Sequence, residues 1–527
     1  MAGSDLALSL RLAKPLIPTG RPGSVGVEPR GGAVFLIEQI QRIASREPDK
    51  LAAVHNGRPV TYARFWRMIE RARRVLKAKA PSHGIALLLV RDMLDAWILS
   101  FAARSLGLEA SLIASHDQAA LFEGLDVACL ITSSDEPTDG LAAPTGAIAL
   151  TLASPSRQPD LERGPLPPLP ADLAAGAQIL LTSGTTGASK KVQLPYGATR
   201  DLIDERVAEY HALGDGFRRL DAATVLNIMS LGLWTGGGFI WPTMVWGQGG
   251  AVVMYDDADL QHSLDWPGLT HTLATPAHLA WLMALPEGAF PDLPDMQLAV
   301  VSGGLSPALT RQIQRRLTRR ILVNLSSTEG GGFARSIIET EDDLRWYKLH
   351  PGRTIEVVDD AGNPLPPGEL GRLRVNVRPR LATGYLGDPE TSAKFFSDGW
   401  FYPGDLAVLD GKGRMALYGR TTDIVHIKGS KYPAEPWERA IQEALQCDGV
   451  CILSGSWRSE EEQLHLFIET RRPITPQALT AAVQATLHGF TGVHVHMAPS
   501  LPRTPTGKLR RIELAQQLYE GRFGSDA

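Results

Sequence analysis

The sequence predicts an α/β protein built on parallel sheets and divided into more than one domain. Short apolar runs of strand length, at 85–90, 110–113 and 127–131, alternate with segments whose apolar residues recur at helical spacing. That alternation is the grammar of a parallel sheet with crossover helices. The chain is also 527 residues long, more than one hydrophobic core usually supports.

Composition narrows the function classes. With 44% hydrophobic and 21% charged residues and a net charge of -4, the chain is an ordinary globular protein with no basic arm for nucleic acid. The run 71–79, rich in Arg and Lys, lies in a helical pattern and reads as a solvated face. No stretch of about 20 apolar residues occurs, so no membrane span is expected. Three cysteines, Cys129, Cys447 and Cys451, are too few and odd in number for a disulfide framework and point to a reducing, cytoplasmic compartment. Cys447 and Cys451 lack nearby partners to complete a zinc site and read as core thiols. Residues 1–33 form a loose leader, rich in Pro, Gly and Arg over 17–32, without the pattern of a signal peptide.

Taken in order, a helix is expected over 34–45, a turn at 56–59 leading into a short strand at 60–62, and then a long helix to about Lys79. A strand at 85–90, a helix at 93–106 and strands at 110–113 and 127–131 follow. Residues 154–172 hold six prolines and read as an exposed connection. It leads into the apolar strand 179–181 and then the set Thr182, Ser183, Gly184, Thr185, Thr186, Gly187 and Lys190. Glycines admit close approach of a ligand to the backbone, hydroxyls donate to phosphate oxygens, and the lysine adds a point charge, so this is a phosphate-holding loop. Its spacing is not that of a Walker A loop.

The loop resembles the Thr-Ser-Gly-Thr-Thr-Gly-x-x-Lys signature of the adenylate-forming superfamily, the AMP-dependent synthetases and ligases that include acyl-CoA synthetases. Further motifs of that family follow in order. After a helix at 201–213 and a strand at 224–229, Met229 stands where relatives usually carry a histidine gating the carboxylate pocket. Methionine fills space but holds a carboxylate weakly. Trp234 and the glycines through Gly238 suit either a backbone approach to a ligand or a close packing contact. Ser302, Gly303 and Gly304 resemble the loop between adenine and the acyl group. The segment ending Leu325, Ser326, Ser327, Thr328 and Glu329 resembles the Tyr-Gly-x-Thr-Glu motif, with Leu325 in place of the aromatic that faces adenine. Residues 383–385, Thr-Gly-Tyr, follow the family's approach to its ribose site, which Asp405 supplies after Pro403. Arg420 would reach ribose or phosphate, Thr422 sits at the family's hinge, and Lys428 and Gly429 lie in the pantetheine tunnel. Lys508, on the Pro/Gly turn 502–511, matches the terminal catalytic lysine.

The resemblance implies an acyl-CoA synthetase-like architecture. A large multi-subdomain N-terminal domain over 34–419 binds ATP and the acid, and a small mobile α+β C-terminal domain over 420–527 carries Lys508. It implies ATP and Mg²⁺ as reagents, with Glu329 toward the metal and Thr328 toward the α-phosphate. A small-molecule carboxylic acid becomes an acyl-adenylate with release of pyrophosphate, and CoA takes the acyl group. Met229, Trp234, Gly238, Ser302 and Phe333 line the expected acyl pocket; Trp234, Phe239 and Phe333 suit an aryl or medium-chain acid and equally suit a core. Other readings stay open: transfer to a carrier protein in trans or to an amine, activation of an atypical substrate including intramolecular closure, and a non-catalytic nucleotide- or acyl-binding descendant.

Overall fold

A computed structural model describes residues 35–134, 144, 146–182, 189–194, 200–212, 217–359, 361–378, 381–420, 424–427, 430–455, 463–488, 490, 492–504, 507–519 and 522. The expected leader lies outside them. Helix formation follows the sequence pattern closely at the start: Phe35–Arg46 buries Leu36, Ile40, Ile43 and Ala44 along one face. Helix Tyr62–Lys79 begins where the Thr61 side chain accepts from the Arg64 N–H, satisfying one of the unpaired donors of the first turn.

The described strands form two extended sheets and smaller ones. In the six-stranded sheet, Ile148–Leu152, Val127–Ser133, Ile85–Leu89, Glu109–Leu112 and Gln178–Thr182 run parallel, and Lys190–Leu194 closes the edge antiparallel. In the fifteen-stranded sheet, Leu51–His55, Ala251–Met254, Val225–Asn227, His271–Ala274, Gln297–Val300 and Ile321–Ser327 are successive parallel neighbours, continued by an antiparallel half. Strands buried on both faces read as continuous apolar runs, which is why they were legible. Between the sheets, helices Tyr62–Lys79, Met93–Arg104 and Gly236–Gln248 meet in a cluster of Phe65, Trp97, Phe101, Phe239 and Trp246 with ring centroids 4.9–6.1 Å apart. Trp246 Nε1 donates to the Ala52 carbonyl at 2.8 Å, so the indole's one polar atom is satisfied inside an apolar core.

Toward the C-terminus, strands Gly449–Gly455, Gln463–Glu469 and Val493–Ala498 make a separate sheet. Strand alternation splits its side chains cleanly. Val450, Ile452, Leu464, Leu466 and Ile468 pack with Ile441 of helix Ala434–Leu445, whereas Cys451, Phe467 and Ala498 pack under Leu514 and Leu518 of helix Arg511–Tyr519. All three cysteines are buried and outside any disulfide. No helix of the described residues is long and apolar enough to cross a membrane.

One expectation needs correction. The basic run on the second helix is not uniformly solvated, because Arg73 is buried and pairs with Asp172, which Lys77 also reaches. The proline-rich connection is largely exposed, as expected, and is strapped to the same helix: Trp66 Nε1 donates to Pro167 O at 2.8 Å and Arg67 to Gly164 O at 2.8 Å. Proline supplies unbonded carbonyls without competing donors, and long side chains from the helix take them up.

Asp95, fully buried, accepts from Ser154 Oγ and from the Ser156 N–H at 2.8 Å. Burial and then the neighbouring Asp92 push its carboxyl up to about 6 from 3.8, against those hydrogen bonds. The folded state therefore binds a proton that the unfolded chain releases, so this group's contribution is complete below about pH 4 and lost as pH rises through about 6. Asp95→Asn is expected to gain stability relative to the parent as pH rises from 4 to 7, measured by denaturant midpoints; a pH-independent difference would contradict this.

Candidate active site

The loop expected to hold phosphate joins two antiparallel strands. Thr182 ends one strand and Lys190 begins its antiparallel partner, the two being paired residues, with Thr182 Oγ1 donating to Lys190 O at 3.5 Å. Ser183, Gly184, Thr185, Thr186 and Gly187 lie outside the described residues. Lys190 Nζ sits 3.2 Å from the Phe395 ring centroid and 4.9 Å from that of Tyr385, a cation held on two aromatic faces. The next lysine points elsewhere: Lys191 Nζ donates to Leu121 O at 2.7 Å, and burial lowers its pKa.

Thr328 and Glu329 occupy the turn between antiparallel strands Ile321–Ser327 and Gly331–Ile337, just past a register shift at Leu325 and Ser326. Leu325 is buried in the core while Ser326 is exposed. Glu329 is 8% exposed, and the Tyr385 hydroxyl donates to its Oε1 at 2.9 Å. The turn is held behind the carboxylate as well. Gly330 N donates to Ser327 Oγ at 2.8 Å and Gly330 O accepts from Arg353 Nη2 at 2.7 Å. A Cβ on Gly330 would lie 2.9 Å from the Phe401 ring, one on Gly332 would lie 3.1 Å from His350 Nε2, and one on Gly331, at φ +69°, would run into the Arg206 guanidinium. Burial, then Arg335, Arg206 and Arg353, depress His350 to about 3, so its imidazole is neutral at ordinary pH.

The residues expected to line an acyl pocket divide. Met229 and Ser230 both adopt positive φ, 41° and 58°, a costly conformation for non-glycine residues. This turn sends the Met229 side chain into the core, 1% exposed, where its sulfur accepts from Asn227 Nδ2 at 3.4 Å and Ser263 Oγ at 3.8 Å. Phe333 is likewise buried, in the same apolar cluster as Met229 and Leu325. Gly238 packs its Cα against the carbonyls of Leu231 and Gly232, so of its two readings the structure realises close packing. Trp234 is half-buried and folds across Gly232, and Ser302 is exposed at φ +68°.

Gly236 is the position the pocket expectation passed over. Thr235 caps helix Gly236–Gln248, accepting from the Gly238 N–H at 2.9 Å. A Cβ on Gly236 would lie 2.6 Å from Thr328 Oγ1. The helix start and the Thr328 hydroxyl thus face each other with no side chain between them.

The C-terminal turn reaches this assembly. Gly507, at φ +84°, lies so close to Ala277, in the first turn of helix Pro276–Ala284, that a Cβ would be 2.6 Å from the alanine's. Pro276 in turn lies 3.3 Å from the Cβ position of Gly303, and Tyr347 Oη 3.1 Å from that of Gly304. Lys508 is half-buried, its N–H donating to Thr504 Oγ1 at 3.1 Å and its carbonyl accepting from Thr504 N at 2.8 Å. Asp405 and Arg420 are directly paired residues of strands Asp405–Leu409 and Arg414–Arg420. Thr422, Lys428 and Gly429 lie outside the described residues. Sequence reading missed the bond from Tyr385 to Glu329, the support from Arg206, Arg353 and His350, and the contacts of Gly236 and Gly507. The triple glycine after Glu329 was the available signal for the support.

Residues 40–386 match the family described as AMP-binding enzyme. The chain is 27% identical to an indoleacetate–CoA ligase of Aromatoleum aromaticum over 527 residues, covering 93% of this chain and 99% of that one. It is 25% identical to a feruloyl-CoA synthase of an Amycolatopsis species over 409 residues, 75% and 80% of the two chains. Among solved structures, ATP-bound MatB from Rhodopseudomonas palustris aligns over 93% of this chain and 99% of its own with a TM-score of 0.77 and 20% identity, a likeness of fold. A family match running through both extended sheets places the chain among the AMP-binding enzymes.

Proposed function

We propose that the protein activates a carboxylic acid with ATP as an acyl-adenylate and passes the acyl group to the thiol of CoA. The observation that carries this reading is a set of three contacts between segments distant in sequence: Gly236 against Thr328, Lys190 beside the tyrosine that holds Glu329, and the turn bearing Lys508 against the helix beside Gly303. In the first step a carboxylate oxygen bonds to the α-phosphorus and the bond to pyrophosphate breaks. In the second the thiol sulfur bonds to the acyl carbon, its proton passes to solvent, and AMP leaves with one oxygen of the original carboxylate.

The protein's contribution is positioning and charge neutralisation. The loop 182–190 holds the leaving phosphates, Thr328 the α-phosphate, and Lys508 bridges the acid and α-phosphate oxygens. Asp405 and Arg420 take the ribose end. Glu329 fits a magnesium ligand, since Mg²⁺ is bound by one or two carboxylates with phosphate oxygens and water; when bound it neutralises phosphate charge. With Met229 turned into the core, the acid is held without a gating imidazole. Half-buried Trp234, together with the aryl acids named in the relatives, favours an aryl or arylalkanoic acid.

Pyrophosphate release is expected to require ATP and an aryl or arylalkanoic acid, and thioester to accumulate only with CoA. Lys508→Ala should lower the rate about 10²–10³-fold, the loss of one preorganised charge in the transition state. Release without any acid, or an unaffected mutant, would refute the assignment; adenylate that accumulates with CoA present would move the acceptor to a carrier protein or an amine. Gly507→Val, which puts a branched side chain at positive φ against Ala277, is expected to slow release about tenfold or more while leaving ATP affinity within about twofold, as measured by calorimetry.

A further inference from the structure

We infer that Tyr385 is a positioning residue that keeps the two charged groups of the phosphate site apart and sets the Glu329 carboxylate for the metal, an inference resting on the proposed adenylation chemistry. A lysine and a carboxylate serving the same phosphates have opposite charges and, left alone in a half-buried site, would pair with each other. Such a pair would have to break before either could meet a nucleotide. Among the described residues no ion pair joins Lys190 to Glu329. Tyr385 contacts both, its hydroxyl on Glu329 Oε1 at 2.9 Å and its ring 4.9 Å from Lys190 Nζ.

The tyrosine is itself fixed. It is 5% exposed, and its ring meets Phe395 and Phe396 edge-on at centroid distances of 5.8 and 5.5 Å. Phe396 continues to Phe401 at 4.9 Å, and Phe401 is the ring that closes over Gly330. The backbone of the same segment is tied down on both sides, with Tyr385 N donating to Ser392 Oγ at 2.8 Å and Leu386 N to Lys191 O at 2.9 Å. The second bond joins the tyrosine's segment to the strand that begins with Lys190. A donor held this firmly orients one carboxylate oxygen and leaves the other for the ion; an ion pair would occupy the carboxylate with a mobile partner.

Tyr385→Phe keeps the ring, the aromatic packing and the seat of Lys190, and removes only the hydroxyl. Isothermal titration with ATP plus Mg²⁺, ATP plus EDTA, and AMP plus EDTA reads the effect without turnover. The expected result is a Kd for ATP with Mg²⁺ raised about tenfold or more, in line with loss of a hydrogen bond to a charged group, with AMP affinity within about twofold of the parent. The half-saturating Mg²⁺ concentration for pyrophosphate release should rise in parallel, with KM for the acid unchanged. An unchanged Mg²⁺-dependent affinity, or an equal loss for AMP, would overturn the inference, the latter by showing a general structural defect. Parent protein that binds neither nucleotide overturns the adenylation reading, and this inference with it.

Discussion

The turn at 328–332 has no freedom to carry side chains beyond its first two residues, and the site is built around that constraint. Gly330, Gly331 and Gly332 are pressed respectively by Phe401, Arg206 and His350, while Ser327 and Arg353 take the main-chain groups of Gly330. Neighbours from a helix, a loop, a distant strand and the end of the adjoining strand therefore fix where Thr328 and Glu329 point. Any β-carbon here would displace a ring or a guanidinium, and the carboxylate with it.

Electrostatics follows from the same packing. Arg206 and Arg378 share Glu209 at 2.8 and 3.0 Å, and Arg335 donates to the Glu209 carbonyl, so the positive groups behind the turn are tied to one acidic helix segment. Burial, with Arg335, Arg206 and Arg353, keeps His350 neutral, which spares the turn a further buried charge. The carboxylate meets a neutral donor, Tyr385, and Lys190 rests on aromatic faces. One residue thus contacts both groups, the Tyr385 hydroxyl on Glu329 and its ring beside Lys190.

Much of the fold was legible because buried parallel strands leave unbroken apolar runs and helices between them keep a 3.6-residue period. Thr328, Glu329 and Lys190 were expected as site residues because their motifs are written in contiguous residues. Tyr385 lies 56 residues from the carboxylate it serves, and nothing local in a Thr-Gly-Tyr triplet says where its hydroxyl goes. Met229 was seen as an unusual gate, yet its burial depends on two successive positive φ angles, which no methionine or serine signals. Arg73 was taken for a solvated charge because its partner, Asp172, comes from a loop about a hundred residues on, and helical periodicity carries no information about what covers a face.

The most direct test of the central claim follows the acid's oxygen. An aryl acid that supports pyrophosphate release, labelled with ¹⁸O in its carboxylate, is incubated with the protein, ATP, Mg²⁺ and CoA, and the AMP formed is examined by mass spectrometry. Attack of the carboxylate on the α-phosphorus predicts one labelled oxygen in each AMP. AMP without label, or label appearing in inorganic phosphate or pyrophosphate, would contradict acyl-adenylate formation.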